Sequence, residues 1–159
     1  MRTFYLTIFF VTLMALAIPL HSKLAVSPTS PTYTHFIYMF GHANFLHWLV
    51  NSWCIVMVHR QMKPHRLLSA WMASVLLSFA YYPTLPVLGS SVIISFFMGV
   101  QAPWLYKCKR LAFWQMFTLL AIGFMLPNIA GLYHAILFAF GYIYAKAESL
   151  VNKANKLKP

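Results

Sequence analysis

Six apolar segments, separated by breaks rich in proline or polar residues, limit what this 159-residue chain can fold into. Each is roughly 16 to 23 residues long, close to the length that lets an α-helix cross a bilayer. In hydrocarbon the backbone must satisfy its own hydrogen bonds, so spanning segments of this kind are helical. The sequence therefore predicts an all-α membrane protein, a bundle of six transmembrane helices. The segments cover about residues 4–20, 36–58, 67–82, 89–106, 111–127 and 129–146.

The composition agrees with a membrane protein, because 61% of the residues are hydrophobic and only 8% are charged. In a soluble protein, a formal net charge of +11 would suggest a nucleic-acid partner. Here the lysines and arginines lie in short clusters between apolar segments, where they act as topology signals. The sequence therefore predicts the lipid bilayer as a partner and no nucleic acid.

The positions of the basic residues predict the orientation of the six segments. If the N-terminus lies inside, eleven of the twelve lysines and arginines fall on the inner side, and only Lys23 falls outside. The positive-inside rule then places both termini in the cytoplasm. We assign residues 1–146 to a six-helix transmembrane domain and residues 147–159 to a basic cytoplasmic tail.

The first segment has two interpretations. It follows Met1 and Arg2 and contains the sequence "ALA" at 15–17, a pattern that also fits a secretory signal peptide. Cleavage would leave five spans, whereas retention keeps the six-helix bundle complete. We favour retention.

A few polar residues interrupt the apolar segments at one common depth. In the predicted topology, His42, His47 and Asn51, the serines of "GSS" at 89–91, and His134 all lie near the outer face. His47 and Asn51 are four residues apart and share a helix face, whereas His42 points roughly the opposite way. Taken singly, such residues often serve as hydrogen-bonding contacts between helices. Taken together, they supply a hydroxyl nucleophile, an imidazole base and donors for an oxyanion.

These residues resemble the rhomboid family of intramembrane serine proteases, in its compact six-helix bacterial form. The spacing of two histidines and an asparagine on the second helix is the most specific part of the likeness. The other parts are a Gly-x-Ser at the start of the fourth helix, a later Met-Gly, and a histidine followed seven residues later by glycine. The matching positions are His42, His47, Asn51, Gly89, Ser91, Met98, Gly99, His134 and Gly141.

The resemblance implies a serine endopeptidase with a Ser-His dyad, located as a multi-pass protein in a bacterial inner membrane. Ser91 would be the nucleophile and His134 the general base. The side chains of His47 and Asn51, with the backbone N–H of Ser91, would form the oxyanion hole. The family would cut transmembrane helices of other membrane proteins near the outer face, without a metal or cofactor. Residues with a structural role near this site would be His42, Gly89 and Gly141.

Glu148 is the only acidic residue in the sequence, and this excludes several other protease classes. A di-aspartyl protease needs two carboxylates, and a zinc protease of the HExxH type needs a glutamate between its histidines. A proton-carrying transporter, another way to use buried histidines, would lack a carboxylate relay. A dyad that works without an acid is compatible with the sequence.

The alternative within the same family is an inactive pseudoprotease that binds membrane helices. Three positions depart from the family pattern: Val92 and Leu137 stand where the family usually has glycine, and Ser95 where it usually has tyrosine. Leu137 stands at the contact between the fourth and sixth helices, which sets the distance from His134 to Ser91, and Gly131, Ala135 and Ala139 offer a neighbouring stripe of small residues. The retention of both Ser91 and His134 favours the protease. The sequence leaves the oligomeric state open.

Overall fold

The chain folds into α-helices joined by short turns, as seen in a computed structural model that describes residues 2–80, 86–125 and 130–156. Short 3-10 turns lie at Ile18–Leu20, Tyr38–Phe40 and His59–Gln61. The helical character predicted from the apolar segments is present. The helices are α1 (Arg2–Leu16), α2 (His21–Leu24), α3 (Thr34–Ile37), α4 (Phe45–Val58), α5 (Pro64–Ala80), α6 (Ser91–Cys108), α7 (Arg110–Met125) and α8 (Gly131–Lys156).

The prediction of six membrane spans is wrong. Within residues 2–80, 86–125 and 130–156, no helix combines the length and the apolarity that crossing a membrane requires. The predicted six-transmembrane rhomboid-like bundle and its multi-pass location in a bacterial inner membrane are therefore corrected. The assignment of both termini to the cytoplasm depended on that topology and is corrected with it.

Two helices show the physical reason for this correction. The predicted span at 36–58 is interrupted at residues 41–44, so that α4 keeps only 14 residues. A helix of that length is about 21 Å long, against roughly 30 Å for the hydrocarbon core of a bilayer. Helix α8 is long, with 26 residues, but its second half carries Lys146, Glu148, Lys153 and Lys156.

Local sequence explains where the helices that carry the site begin. Asn44 caps α4, because its side-chain oxygen accepts a hydrogen bond of 2.8 Å from the backbone N–H of His47. Pro64 opens α5, where a missing N–H costs no helical hydrogen bond. Helix α6 begins at Ser91, directly after a turn at Gly89, whose φ of 113° is a left-handed conformation that suits glycine.

Helix α6 lies at the centre of the protein and packs against α4, α5, α7 and α8. Its side chains from Val92 to Phe97 are all buried. Helices α6 and α8 run parallel, because Ser91 meets His134 near their starts and Phe96 meets Gly141 further along. Helix α1 completes the core on another side, with Phe10 and Met14 buried.

The residues assigned to a basic tail continue α8 without a break as far as Lys156, and residues 157–159 lie outside the described part of the chain. The division at residue 146 stays a prediction.

Candidate active site

Ser91 and His134 form a direct hydrogen bond. The Oγ atom of Ser91 lies 2.8 Å from Nε2 of His134, and both side chains are half-buried. Ser91 is the first residue of α6, and His134 lies one turn into α8. The two residues are 43 positions apart in sequence, so their contact depends on how α6 and α8 pack.

Two glycines bring the backbones of α6 and α8 close together. A Cβ atom on Gly99 would lie 2.0 Å from the carbonyl oxygen of Phe138, and one on Gly141 would lie 1.9 Å from that of Phe96. Only a residue without a side chain fits such an approach. Gly141 therefore acts in helix packing, about two turns of α8 away from His134.

The residues that depart from the family pattern do not separate the dyad. Leu137 and Val92 are both buried in the core, while the Ser91–His134 hydrogen bond keeps its length of 2.8 Å. The close approach of α6 and α8 is provided by Gly99 and Gly141, and Leu137 leaves His134 within hydrogen-bond distance of Ser91. Ser95 turns its hydroxyl back to the carbonyl oxygen of Ser91, at 2.9 Å.

His134 is neutral at physiological pH, because burial and the nearby imidazole of His47 lower its pKa to about 4. A neutral imidazole can accept the proton of a serine hydroxyl, whereas a protonated one cannot. Glu148, the only acidic side chain in the sequence, lies 14 residues further along α8, or about 21 Å away. The dyad therefore has no carboxylate side chain behind it.

The segment that precedes Ser91 is held by contacts with residues 26–41. Val87 forms two backbone hydrogen bonds of 2.9 Å with Val26, and the N–H of Gly89 donates to the carbonyl oxygen of Tyr38 at 3.1 Å. Gly41 packs against Leu88 so closely that a Cβ atom would lie 2.3 Å from its Cδ1. These contacts fix the position of residues 87–89, which lead into α6, and they involve no residue of α6.

His42 holds the same segment through a side chain. Its Nδ1 donates to the carbonyl oxygen of Phe40 at 3.0 Å, so its Nε2 must accept, and the hydroxyl of Ser90 donates to it at 3.3 Å. His42 and Ser90 are fully buried. The hydroxyl proton of Ser90 is thus committed to His42, and Ser91 is the serine of this turn that contacts the imidazole of His134.

His47 and Asn51 lie beside Gly89. A Cβ atom on Gly89 would lie 3.1 Å from Nε2 of His47 and 3.5 Å from Nδ2 of Asn51. The backbone N–H of Ala43 donates to Nδ1 of His47 at 3.3 Å, so the neutral ring carries its proton on Nε2. Burial lowers the pKa of His47, which favours this neutral form.

Asn51 carries a donor that the described part of the protein does not satisfy. Its Nδ2 is buried and has no hydrogen-bond partner there. Leaving a buried donor unpaired costs about 1–3 kcal/mol. The Nε2–H of His47 and the Nδ2–H₂ of Asn51 therefore stand as donors next to the turn that leads to Ser91.

One further imidazole–hydroxyl pair was not anticipated from the sequence. His35 Nδ1 lies 3.0 Å from the Oγ of Ser78, and both residues are buried. The Ser78 hydroxyl donates to the carbonyl oxygen of Val75 at 2.6 Å, so His35 must be the donor in their contact. This pair cannot activate a nucleophile in that arrangement. No signal in the sequence links residues 35 and 78.

Within the described ranges, no group of three or more His, Cys, Asp or Glu side chains is arranged to hold a metal ion. Comparison of the chain with protein-family models, curated proteins and solved structures finds no match.

Proposed function

We propose that this chain is a serine peptidase in which Ser91 is the nucleophile and His134 is the general base. The observation that supports this best is the hydrogen bond of 2.8 Å between Oγ of Ser91 and Nε2 of His134. The low pKa of His134, about 4, keeps the base in its proton-accepting form. A nucleophile within hydrogen-bond reach of a neutral imidazole is the arrangement that acyl transfer requires.

In this mechanism, Oγ of Ser91 adds to the carbonyl carbon of the substrate while its proton passes to Nε2 of His134. The electron pair of the C=O double bond moves to the oxygen, which becomes an oxyanion. His134 then gives the proton to the amine, the C–N bond breaks, and an acyl-serine remains. A water molecule, deprotonated by His134, releases the acid in the same way.

In the proposed mechanism, three groups donate hydrogen bonds to the oxyanion. They are Nε2–H of His47, Nδ2–H₂ of Asn51 and the backbone N–H of Ser91, which belongs to the first turn of α6, where N–H groups have no helical partner. The N-terminal end of the 18-residue helix adds a partial positive charge. Such donors act where negative charge develops, and removing one typically lowers the rate by about 10²–10³-fold.

The substrate class in this proposal comes from the sequence resemblance to rhomboid proteases. It comprises apolar helical segments of membrane proteins. The placement of the cut relative to an outer membrane face depended on the six-span topology and is not retained.

The test is labelling of the purified protein with a fluorescent fluorophosphonate, which reacts with an activated serine without a known substrate. We expect labelling of the wild type, loss of labelling in Ser91→Ala and His134→Ala, and a labelled peptide that contains Ser91. The matched control is Ser78→Ala, which removes the hydroxyl of the other Ser–His contact at His35 and should leave labelling unchanged.

Circular dichroism of each variant establishes that it is folded. A folded wild type that stays unlabelled beside an active serine hydrolase would overturn the peptidase and favour the helix-binding pseudoprotease. If Ser91 is labelled, cleavage of a detergent-solubilised single-helix membrane segment tests the substrate class. Intact segment after prolonged incubation would reject that class and keep the activated serine.

A further inference from the structure

A cavity of about 680 Å³ lies at the end of the molecule away from the dyad. It is formed by the second half of α6, the second half of α8, and Gln61 and Arg66 near the start of α5. Its volume is in the range of sites that bind small molecules, which is roughly 300–1,000 Å³. Lys146 is the first lysine of α8 at this cavity, and it lies 12 residues after His134. That separation is about 18 Å along the helix axis, so the two sites do not overlap.

The walls of this cavity are strongly basic. Lys107 from α6 and three lysines of α8 line it, together with Arg66 and a single carboxylate, Glu148. The lysines of α8 follow one another at intervals of seven and three residues, a spacing that puts them along one helix face. They are Lys146, Lys153 and Lys156.

The carboxylate of Glu148 is already engaged. Nη2 of Arg66 contacts its Oε2, and Nε of Arg66 donates to Oε1 at 3.2 Å. Nε2 of His65 lies 3.0 Å from the same Oε1. The hydrogen bonds from Arg66 hold the pKa of Glu148 below its usual range, so the group is ionised at neutral pH.

The four lysines therefore have no acidic side chain left to pair with, because Glu148 is the only one in the sequence. Lysines near the C-terminal end of a helix interact favourably with the partial negative charge there, and this explains part of their placement. It does not account for a concave site that is lined by exposed cations of two helices and by polar groups such as Gln101 and Asn152. Like charges gathered in this way repel one another until an anion binds between them.

We propose that this cavity binds an anion carrying two or more phosphate groups, held by Lys107, Lys146, Lys153 and Lys156. Phosphate oxygens only accept hydrogen bonds, and every lysine in the cavity only donates them. Lysine serves phosphate as a mobile point charge, and four of them match the charge of at least two phosphates. The same chemistry is offered by a soluble polyphosphate and by the headgroup of a phospholipid that carries two phosphates, such as cardiolipin.

The first experiment measures the affinity of the purified full-length chain for pyrophosphate by calorimetry at constant ionic strength. The variant Lys146→Gln/Lys153→Gln is expected to bind at least about tenfold more weakly, since each charge-assisted contact contributes on the order of a factor of ten. Lys146→Arg/Lys153→Arg keeps the charges and should retain most of the affinity. Lys23→Gln/Arg60→Gln removes two exposed charges outside the cavity and should bind like the wild type.

These variants also separate a built site from general basicity. Equal weakening in the cavity variant and in Lys23→Gln/Arg60→Gln would overturn the proposal, as would a wild type without measurable binding. A third outcome would also overturn the proposal: duplex nucleic acid binds both variants equally and pyrophosphate does not displace it. The basic residues would then form a diffuse surface and not a binding site. Fluorophosphonate labelling of Ser91 is read in parallel and is expected to be unchanged by the cavity variants.

The source of the anion is then resolved with vesicles. Vesicles of phosphatidylcholine alone are compared with vesicles that also contain cardiolipin, whose headgroup carries two phosphates. Extra binding to the anionic vesicles that is lost in Lys146→Gln/Lys153→Gln and competed by pyrophosphate supports a headgroup. Equal binding to both kinds of vesicle, with pyrophosphate still bound by the wild type, supports a soluble polyphosphate.

Discussion

Gly141 of α8 lies directly against the backbone of Phe96 in α6, where a Cβ atom would stand 1.9 Å from the carbonyl oxygen of Phe96. This contact couples the two helices that carry Ser91 and His134. Because the obstructing atom belongs to a backbone, it cannot move aside as the end of a side chain can. The geometry of the dyad therefore depends on the absence of a side chain about two turns away.

We expect Gly141→Ala to destabilise the protein by about 1–3 kcal/mol, since overpacking of this kind forces the backbone to shift. Labelling of Ser91 should fall in any fraction that remains folded. Chemical denaturation measures the change in the free energy of unfolding. The control is Ala147→Ser, an exposed position on the same helix, and a similar loss in both variants would contradict the packing role of Gly141.

Gly89→Ala is expected to reduce labelling of Ser91 more than it reduces stability. The φ of 113° strains any residue with a side chain, and the new methyl group would press on the ring of His47 at 2.9 Å from Cε1. The measurement is the labelling rate, compared with the midpoint of thermal unfolding. An unchanged rate in a folded variant would show that His47 and Asn51 do not serve the reaction from this place.

Leu137→Gly introduces the glycine that rhomboid proteases usually have at this position. We expect it to destabilise the protein without improving the alignment of Ser91 and His134. Leu137 is fully buried, so removing its side chain leaves a cavity that costs on the order of 3–5 kcal/mol. The control is Leu150→Gly on the same helix, where the leucine is 70% exposed and only the helix propensity changes, by about 1 kcal/mol. Faster labelling in Leu137→Gly would mean that the leucine does restrain the site.

Ser90→Ala is expected to cost about 1–3 kcal/mol, because it leaves Nε2 of the buried His42 without its donor. Labelling should persist, since Ser91 is the proposed nucleophile. The free energy of unfolding and the labelling rate are measured on the same preparation. Complete loss of labelling in a folded Ser90→Ala variant would assign the reactive hydroxyl to Ser90.

Stability should decrease as the pH falls from about 6.5 towards 4. Burial lowers the pKa of His42 and of His134 to about 4, so the unfolded chain binds more protons than the folded one in this interval. The loss at pH 5 is on the order of 2 kcal/mol for each imidazole. Urea denaturation at pH 7 and pH 5 measures it, and His42→Gln should show a smaller difference between the two. An equal difference would show that His42 does not contribute to the pH dependence of stability.

The labelling rate has its own dependence on pH. A base with a pKa of about 4 stays neutral at pH 5.5, where an ordinary histidine is mostly protonated. We therefore expect the rate to hold down to about pH 5 and then to decline. A half-maximal rate near pH 6.5 would contradict the low pKa of His134.

The sequence alone determined that the chain is helical and which residues stand at the candidate site. The apolar segments predicted helices because their length and composition favour them, and the spacing of His47 and Asn51 put both on one face of α4. The resemblance selected Ser91 and His134 as partners. Helix propensity and the spacing of residues along a helix depend on near neighbours in the chain, so they can be predicted without the tertiary structure.

Only the tertiary structure decided how long the helices are, and therefore that none in the described ranges crosses a membrane. The interruption at residues 41–44 arises because Gly41 packs against Leu88 and His42 reaches Ser90, contacts between residues nearly 50 positions apart. The same is true of the dyad, whose 2.8 Å contact depends on backbone packing at Gly99 and Gly141. Hydrogen bonds with neighbours in sequence set the tautomers of His42 and His47. Contacts between residues more than 40 positions apart then decide that Ser90 meets His42 and Ser91 meets His134.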